Sequence, residues 1–407
     1  MFKFFALMKQ KTSLFLILTI AIACSCSSDK QEDSLPCIDV TKTYPEKEII
    51  LSDIADVTFV YLNSDNDDFL YSGRISCITK NTIVIIDAPS GRPSGKILFF
   101  SKEGKPKSQF NHKGQGPEEY SNPHRAIYDE ETDEVFVYSL GDGFIQVYSS
   151  AGQHKRKIVL PEGEGFFSNY FYFFDDESFL LYDAIFQNNT GRKVDGIDLP
   201  PLTFDHPCIL ISKSDGKLLD YVKLPISNAD LAHYVDGRRV SILPNPVICT
   251  EKGFLLWNPG TDTVFLLDKN KVLTPVICKT PLVKDLDPII IMNNCLDYGG
   301  YQFMDITTVL FIPELPARVP IKNLIRNKKT GDVFVQKIIF PDYKGKDFTI
   351  GLKTESRPYE EGVFFELELV ELKQAYRENR LSGKLKDLVS TLNEDEDNNV
   401  FMFVNFK

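Results

Sequence analysis

Short apolar runs separated by polar turns fill the chain from Glu48 to Val370. Thr82–Ile86, Val135–Tyr138, Phe144–Tyr148 and Phe179–Tyr182 are β-branched or aromatic and bounded by Gly, Asn, Asp or Pro, which is the signature of β-strands. Helical periodicity is nearly absent before the C-terminus. There Leu372, Tyr376, Leu381, Leu385, Leu388 and Leu392 recur at helical spacing, interrupted at Gly383. An acidic turn over residues 393–398 then precedes a last short strand, Val400–Phe406. This C-terminal segment reads as a short helical cap.

One hairpin recurs. It runs from Ile97 through Gly104, from Ile145 through Gly152, and from Ile209 through Gly216, with weaker copies ending at Asn270 and Gly331. Each copy is an apolar strand, a polar turn, a Gly or Asn able to take φ > 0, and a further strand. The intervals between turn residues are 48, 64, 54 and 61, slightly longer than common propeller blades. Six such units fill the span from Val40 to about Arg380. The expected fold is therefore all-β, a six-bladed β-propeller over residues 40–407, in which ring closure removes most exposed sheet edges. Closure is expected from residues 48–62, which carry strands with no repeat turn. Joined to Phe348–Leu352 and Gly362–Val370, they would complete the sixth blade. A β-sandwich with a second β-domain is the alternative.

The first 30 residues carry an address. Lys3, Lys9 and Lys11 precede an apolar run, Ser13–Ala23, of signal-peptide length and too short to span a bilayer. Cys24 follows Ala23 and Cys26 follows Ser25, so either can be the lipidated cysteine of a lipoprotein signal spanning residues 1–25. A polar stretch, residues 26–39, reads as a flexible tether. These features predict an outer-membrane lipoprotein, periplasmic or exposed at the cell surface.

The chain has 407 residues, 43% hydrophobic and 25% charged, which excludes a disordered chain and a polytopic membrane protein. With 46 Lys and Arg against 57 Asp and Glu, the net charge is -11. No basic patch stands out locally, so nucleic acid is not an expected partner. Six cysteines remain beyond the signal, at irregular spacing and with no C-x-x-C, which excludes zinc knuckles. Cys249 and Cys278 lie in apolar strand-like runs and read as buried free thiols.

Three segments together resemble the six-bladed β-propeller lipoproteins of Bacteroidota (NHL/TolB-like propellers). They are residues 50–55, the loop Gly114-Gln-Gly-Pro-Glu-Glu-Tyr120, and residues 392–400 before the final strand. Glu118 stands where that family usually has a third Gly, and Asn398-Asn399 where it has Asn-Pro. The resemblance implies the propeller fold and no particular chemistry.

The Gly-Pro loop is the sharpest local motif. Gly114 permits a left-handed turn there, and Pro117 holds Gly116 extended. It would be an inter-blade turn or a rim loop presenting side chains to a ligand. Candidate binding residues are Glu119, Tyr120, His124 and Arg125, the last two opening the innermost strand of the next blade. Together they offer acceptors, a stacking face and a cation suited to an anionic group. The five histidines lack metal-motif spacing, the Gly91–Lys96 segment fails as a phosphate loop, and residues 63–68 lack the Gly and distal Glu of a calcium loop. Adjacent glutamates on an extended segment face opposite ways and make no acid/base pair. No cofactor is predicted, although a propeller channel can hold a metal. The leading expectation is a monomeric, membrane-anchored binding or scaffolding module for a glycan, a peptide or an envelope protein. The alternative is a propeller lyase or hydrolase with a site assembled from several blades. Trp257 alone is a thin basis for sugar stacking.

Overall fold

In a computed structural model, the structure describes residues 35–407 except 66, 140–141, 162–167, 184–192, 195–196, 199–205, 226–231, 236–237, 242–245, 259–260, 316–318 and 352–355. The signal segment with Cys24 and Cys26, and the tether up to residue 34, lie outside the described residues.

Six sheets of four or more strands make up the described chain. Sheet I is Gly73–Ile78, Thr82–Asp87, Lys96–Ser101 and Pro106–Asn111. Sheet II is Pro123–Asp129, Glu134–Ser139, Phe144–Tyr148 and His154–Val159. Sheet III is Ser168–Phe173, Ser178–Asp183, Cys208–Ser212 and Leu218–Val222. Sheet IV is Val247–Thr250, Gly253–Leu256, Thr263–Leu267 and Leu273–Thr280. Sheet V is Ile290–Tyr298, Tyr301–Thr308, Ile321–Asn327 and Val333–Ile339. These strands run antiparallel in chain order within each of the five, with an insertion inside sheet III. Sheet VI is composite, in the order Ser356–Tyr359, Gly362–Leu367, Val400–Phe406 and Ala55–Tyr61.

Alternation along the strands explains why the sheets stack. In sheet I, Ile83, Ile85, Leu98 and Phe100 pack on Phe364, Phe401 and Phe403 of sheet VI. The intervening Val84, Ile86, Ile97 and Phe99 pack on Val135, Val137 and Tyr148 of sheet II. Sheet II in turn packs Phe136 and Ile145 on Phe171 and Phe179 of sheet III, and sheet III packs Leu180 and Leu210 on Phe254 and Leu256 of sheet IV. The largest cluster joins sheets IV, V and VI through Leu255, Met292, Phe303, Leu324, Phe365 and Met402. Each sheet is thus buried on both faces and packs on its neighbours in a closed circuit. That explains the uninterrupted apolar runs such as Thr82–Ile86, which show no polar face. An all-β propeller results.

The repeat turn is the joint between the third and fourth strands of sheets I to V. Gly104, Gly152, Gly216 and Gly331 all take φ between 76° and 87°. In sheet IV the positive φ falls on Lys271 (64°), one residue after the expected Asn270. Space matters as well. A Cβ on Gly104 would lie 1.9 Å from the Tyr61 carbonyl of sheet VI, and one on Gly216 would lie 2.1 Å from the Val159 carbonyl of sheet II. These two turns are seated on the outermost strand of the preceding sheet, where only glycine fits, whereas a Cβ on Gly331 would meet nothing within 4 Å. The long interval from Gly152 to Gly216 is explained by chain inserted inside sheet III, including the hairpin Lys193–Val194 with Ile197–Asp198.

Closure differs from expectation in its pairing. Ala55–Tyr61 pairs with Val400–Phe406, which in turn pairs with Gly362–Leu367. The final strand is therefore an interior strand of sheet VI and not part of a cap. Asp347–Phe348 pairs in sheet V, and Glu46–Ile50 lies parallel along that sheet's outer strand. The tether also ends earlier than Asp39. Cys37–Asp39 forms a parallel strand on the outer edge of sheet IV, and Cys37 and Cys278 form a disulfide there. Cys278 is not the free thiol expected, because the parallel register sets it directly opposite Cys37. Cys77, Cys208 and Cys249 are free thiols.

The helical segment is two helices, Leu369–Arg377 and Gly383–Thr391, inserted between two strands of sheet VI. They bury Leu369, Leu372, Ala375, Leu385 and Val389 against the cluster shared by sheets IV to VI. Asn398 ties this insertion to the chain's start. Its amide donates to the carbonyls of Leu62 (2.8 Å) and Phe69 (3.1 Å) and accepts from the Tyr71 N–H (3.2 Å).

Candidate binding site at the first strands

The Gly-Pro loop joins the outer strand of sheet I to the first strand of sheet II. Gln115, Pro117 and Glu118 are exposed, whereas Glu119 and Tyr120 turn inward on the loop's backbone and its neighbours. The Glu119 carboxylate accepts the Gly116 N–H at 2.7 Å. A Cβ on Gly114 would meet that carboxylate at 1.8 Å, so glycine is required for room. A left-handed φ is not the reason, because Gly114 is not among the positive-φ residues. Tyr120 is fully buried. Its hydroxyl donates to the Gly95 carbonyl (2.6 Å) and accepts the His112 N–H (3.0 Å). Burial raises its phenol well above the usual range. Gln146 of sheet II donates to the Pro117 and Glu119 carbonyls, and Tyr148 to the Glu118 carbonyl at 2.6 Å. His112 stacks on Tyr148 at 4.9 Å, and its Nε2 meets the Gly152 carbonyl at 2.7 Å.

His124 and Arg125 lie elsewhere. They begin the first strand of sheet II, which is that sheet's free edge. First strands of sheets I, II and III touch one another, as do those of sheets IV and VI, so these edges line the axis of the fold. Several are bulged. The register skips Ser76 in sheet I and His124 in sheet II. Bulges bend a strand and re-aim its side chains, and they recur beside functional sites. The Ser76 hydroxyl uses its bulge to accept the Ala126 N–H at 2.7 Å, stitching two edges together.

Arg125 crosses to sheet III, where its guanidinium lies 4.4 Å from the Tyr172 ring centroid. Its Nε is buried with no hydrogen-bond partner among the described residues. Arg74, on the first strand of sheet I, donates to the His124 carbonyl at 2.7 Å. Burial first, and the Arg125 charge second, hold the Arg74 guanidinium below its ordinary value. Among the described residues no carboxylate pairs with either guanidinium. Beyond Tyr172 lies Cys249 of sheet IV, whose thiol burial pushes up to about 12. Cys77 of sheet I is likewise raised to about 12 by burial. Neither thiol is a thiolate at neutral pH.

The structure thus separates the four expected residues. Glu119 and Tyr120 make loop-internal and inter-sheet bonds, while His124 and Arg125 lie on the axial edge. Arg74 and Tyr172 join Arg125 there and were missed. One signal was legible: Arg74, Arg125 and Arg357 all stand near the start of the first strand of sheets I, II and VI. Trp257 is buried in the cluster shared by sheets IV to VI. Among the described residues no group of three His, Cys, Asp or Glu could hold a metal ion. No described helix is long and apolar enough to cross a membrane. A separate cavity of about 250 Å³, lined by Lys47, Asp53, Tyr301 and Phe334 among others, involves the parallel strand Glu46–Ile50 beside sheet V.

Comparison with known proteins agrees with the fold. A putative exported protein from Bacteroides fragilis superposes with a TM-score of 0.58 at 14% identity, covering 89% of this chain and 98% of its own. A member of the DUF4221 family from Bacteroides vulgatus has a TM-score of 0.45 at 11% identity, covering 87% of this chain and 97% of its own. No curated protein matches the chain. The model of a domain of unknown function, DUF4934, matches residues 35–405, almost the whole described propeller, and the chain belongs to that family.

Proposed function

We propose that this protein is a binding or scaffolding module of the bacterial envelope, anchored by a lipid on Cys24 or Cys26, in which each of the six sheets serves as one blade. The observation that carries the reading is the convergence of Arg74, Arg125 and Tyr172, from three sheets, on the axial edge. A site gathered from several blades surrounds one ligand and needs no local sequence motif. An n-region, an apolar run and a small-residue–cysteine junction support the anchor. Its structural neighbour from Bacteroides fragilis, described as exported, accords with an extracytoplasmic setting. The partner would be a glycan, a peptide or an envelope protein.

The test is a glycan and peptide array probed with the mature protein and with Tyr172→Ala. Signals that vanish in a folded Tyr172→Ala variant support a ligand at the axial edge. Signals that survive it place the ligand elsewhere. Changing both Cys24 and Cys26 to Ser should move the protein from the membrane fraction to the soluble fraction. Unchanged fractionation would remove the anchor from the proposal.

A further inference from the structure

We infer that the axial edge of sheets I to III recognises a carboxylate, held by the guanidinium groups of Arg125 and Arg74 beside the Tyr172 ring. The inference rests on the binding-module reading above and adds the charge class of the ligand.

Three observations carry it. First, the two cations are close enough to perturb one another, yet among the described residues neither has a carboxylate partner. Arginines drawn together are ordinarily bridged by an acid, because like charges repel, although the exposure of Arg74 lets water screen part of that repulsion. This chain has 57 acidic residues to supply one, against 46 basic ones. Second, among the described residues nothing accepts from the buried Nε of Arg125, a donor that a bound acceptor would satisfy. Third, the Tyr172 ring packs 4.4 Å from the Arg125 guanidinium and restricts its freedom, so less ordering is needed for bidentate recognition of a carboxylate. The bulge at His124 contributes to the placement. It offsets Arg125 along the strand and leaves the His124 carbonyl to anchor Arg74.

The geometry also orders the two arginines. Among the described residues the Arg125 guanidinium makes no hydrogen bond, so it is the primary contact. Arg74 is already tied to the His124 carbonyl and supplies charge more than geometry. A neutral ligand can accept their hydrogen bonds but gains no charge attraction, so it binds more weakly. Phosphate also presents a pair of oxygens to a guanidinium fork, so it is the competing anion that the test must separate from a carboxylate.

The experiment is calorimetric titration of the mature protein with citrate, glucuronate, inorganic phosphate and glucose at constant ionic strength, beside Arg125→Ala, Arg125→Lys and Arg74→Ala. Citrate and glucuronate should bind, and glucose far more weakly; phosphate binding tighter than either would overturn the assignment to a carboxylate. Arg125→Ala should weaken carboxylate binding about tenfold or more, since one bidentate charged contact is worth at least that much. Arg125→Lys keeps the charge but loses the fork, and should recover only part of the affinity. If Arg125→Ala fails to fold, the lysine variant and Arg74→Ala carry the test. No carboxylate binding by the wild type, or equal binding by wild type and Arg125→Lys, overturns the inference. Neutral array ligands lost in Tyr172→Ala but retained in Arg125→Ala would overturn it too, while leaving the binding module intact. A blank array with citrate still bound would instead count against the binding-module reading and leave the carboxylate site standing.

Discussion

The loop from His112 to Tyr120 and the axial edge carrying Arg74 and Arg125 are adjacent in sequence and opposite in design. In the loop, Glu119, Tyr120, Gln146 and Tyr148 all make hydrogen bonds, most of them to backbone carbonyls and N–H groups. On the edge, two like charges lie near one another and, among the described residues, a buried donor has no partner. A fully satisfied polar network fixes a structure, and an unsatisfied one is retained for something else. The conspicuous motif therefore holds two sheets together, and the inconspicuous arginines are where a ligand has chemistry to complete.

The comparison breaks first at Tyr120. Tyr120→Ala should destabilise the protein by about 3–5 kcal/mol, as truncation of a buried aromatic does, because it empties a core position and orphans the Gly95 and His112 backbone groups. Denaturant unfolding measures the loss. Binding to carboxylate probes should be unchanged under conditions where the variant stays folded. If Tyr120→Ala leaves stability intact and removes binding, the roles assigned to loop and edge are reversed.

Much of the fold was legible because propeller blades repeat. Strand runs buried on both faces and a glycine turn at fixed phase report sheets I to V directly. The composite sheet was harder. Its third strand follows two helices, and an apolar segment at a chain end does not reveal that it will be inserted between Gly362–Leu367 and Ala55–Tyr61. Cys37–Asp39 was hidden for a related reason. Three residues with one buried side chain carry no periodicity, and only the partner strand at Leu273–Thr280 makes them a strand. The site was half legible. Arg125 could be placed by its position after the loop, but Tyr172 reaches it from sheet III, and no local pattern encodes a contact between strands 47 residues apart.

A smaller effect is expected at Arg125. Arg125→Ala removes a cation–π contact worth about 0.5–1 kcal/mol, and it also removes an unsatisfied donor and the repulsion of Arg74. These nearly cancel, so stability should change by less than about 1 kcal/mol in either direction. Thermal unfolding checks it. A loss as large as that of Tyr120→Ala would mean that Arg125 staples the ring, as the loop does.

The smallest effect concerns the two thiols that report on the edge from either side. Burial is the largest influence on Cys77 and Cys249 and raises both to about 12, while the positive charge of Arg125 opposes it at each. In the unfolded chain a thiol ionises near pH ~8.5. The sign follows from proton binding. Above that pH the unfolded chain sheds the two protons and the folded protein keeps them, so stability is fully present below about pH 8.5 and declines as pH rises toward 12. Each thiol contributes at most ~1.4 kcal/mol per pH unit to the slope. Cys77→Ala or Cys249→Ala should flatten the decline. Alkylation gives an independent reading. Folded wild type should react with iodoacetamide at these two positions far more slowly than a free thiol at pH 8, and Arg125→Ala should slow it further, because the one nearby charge favouring both thiolates is then gone. Faster alkylation in Arg125→Ala would show that the guanidinium shields these cysteines sterically, and that its charge is spent on a partner and not held toward the axis.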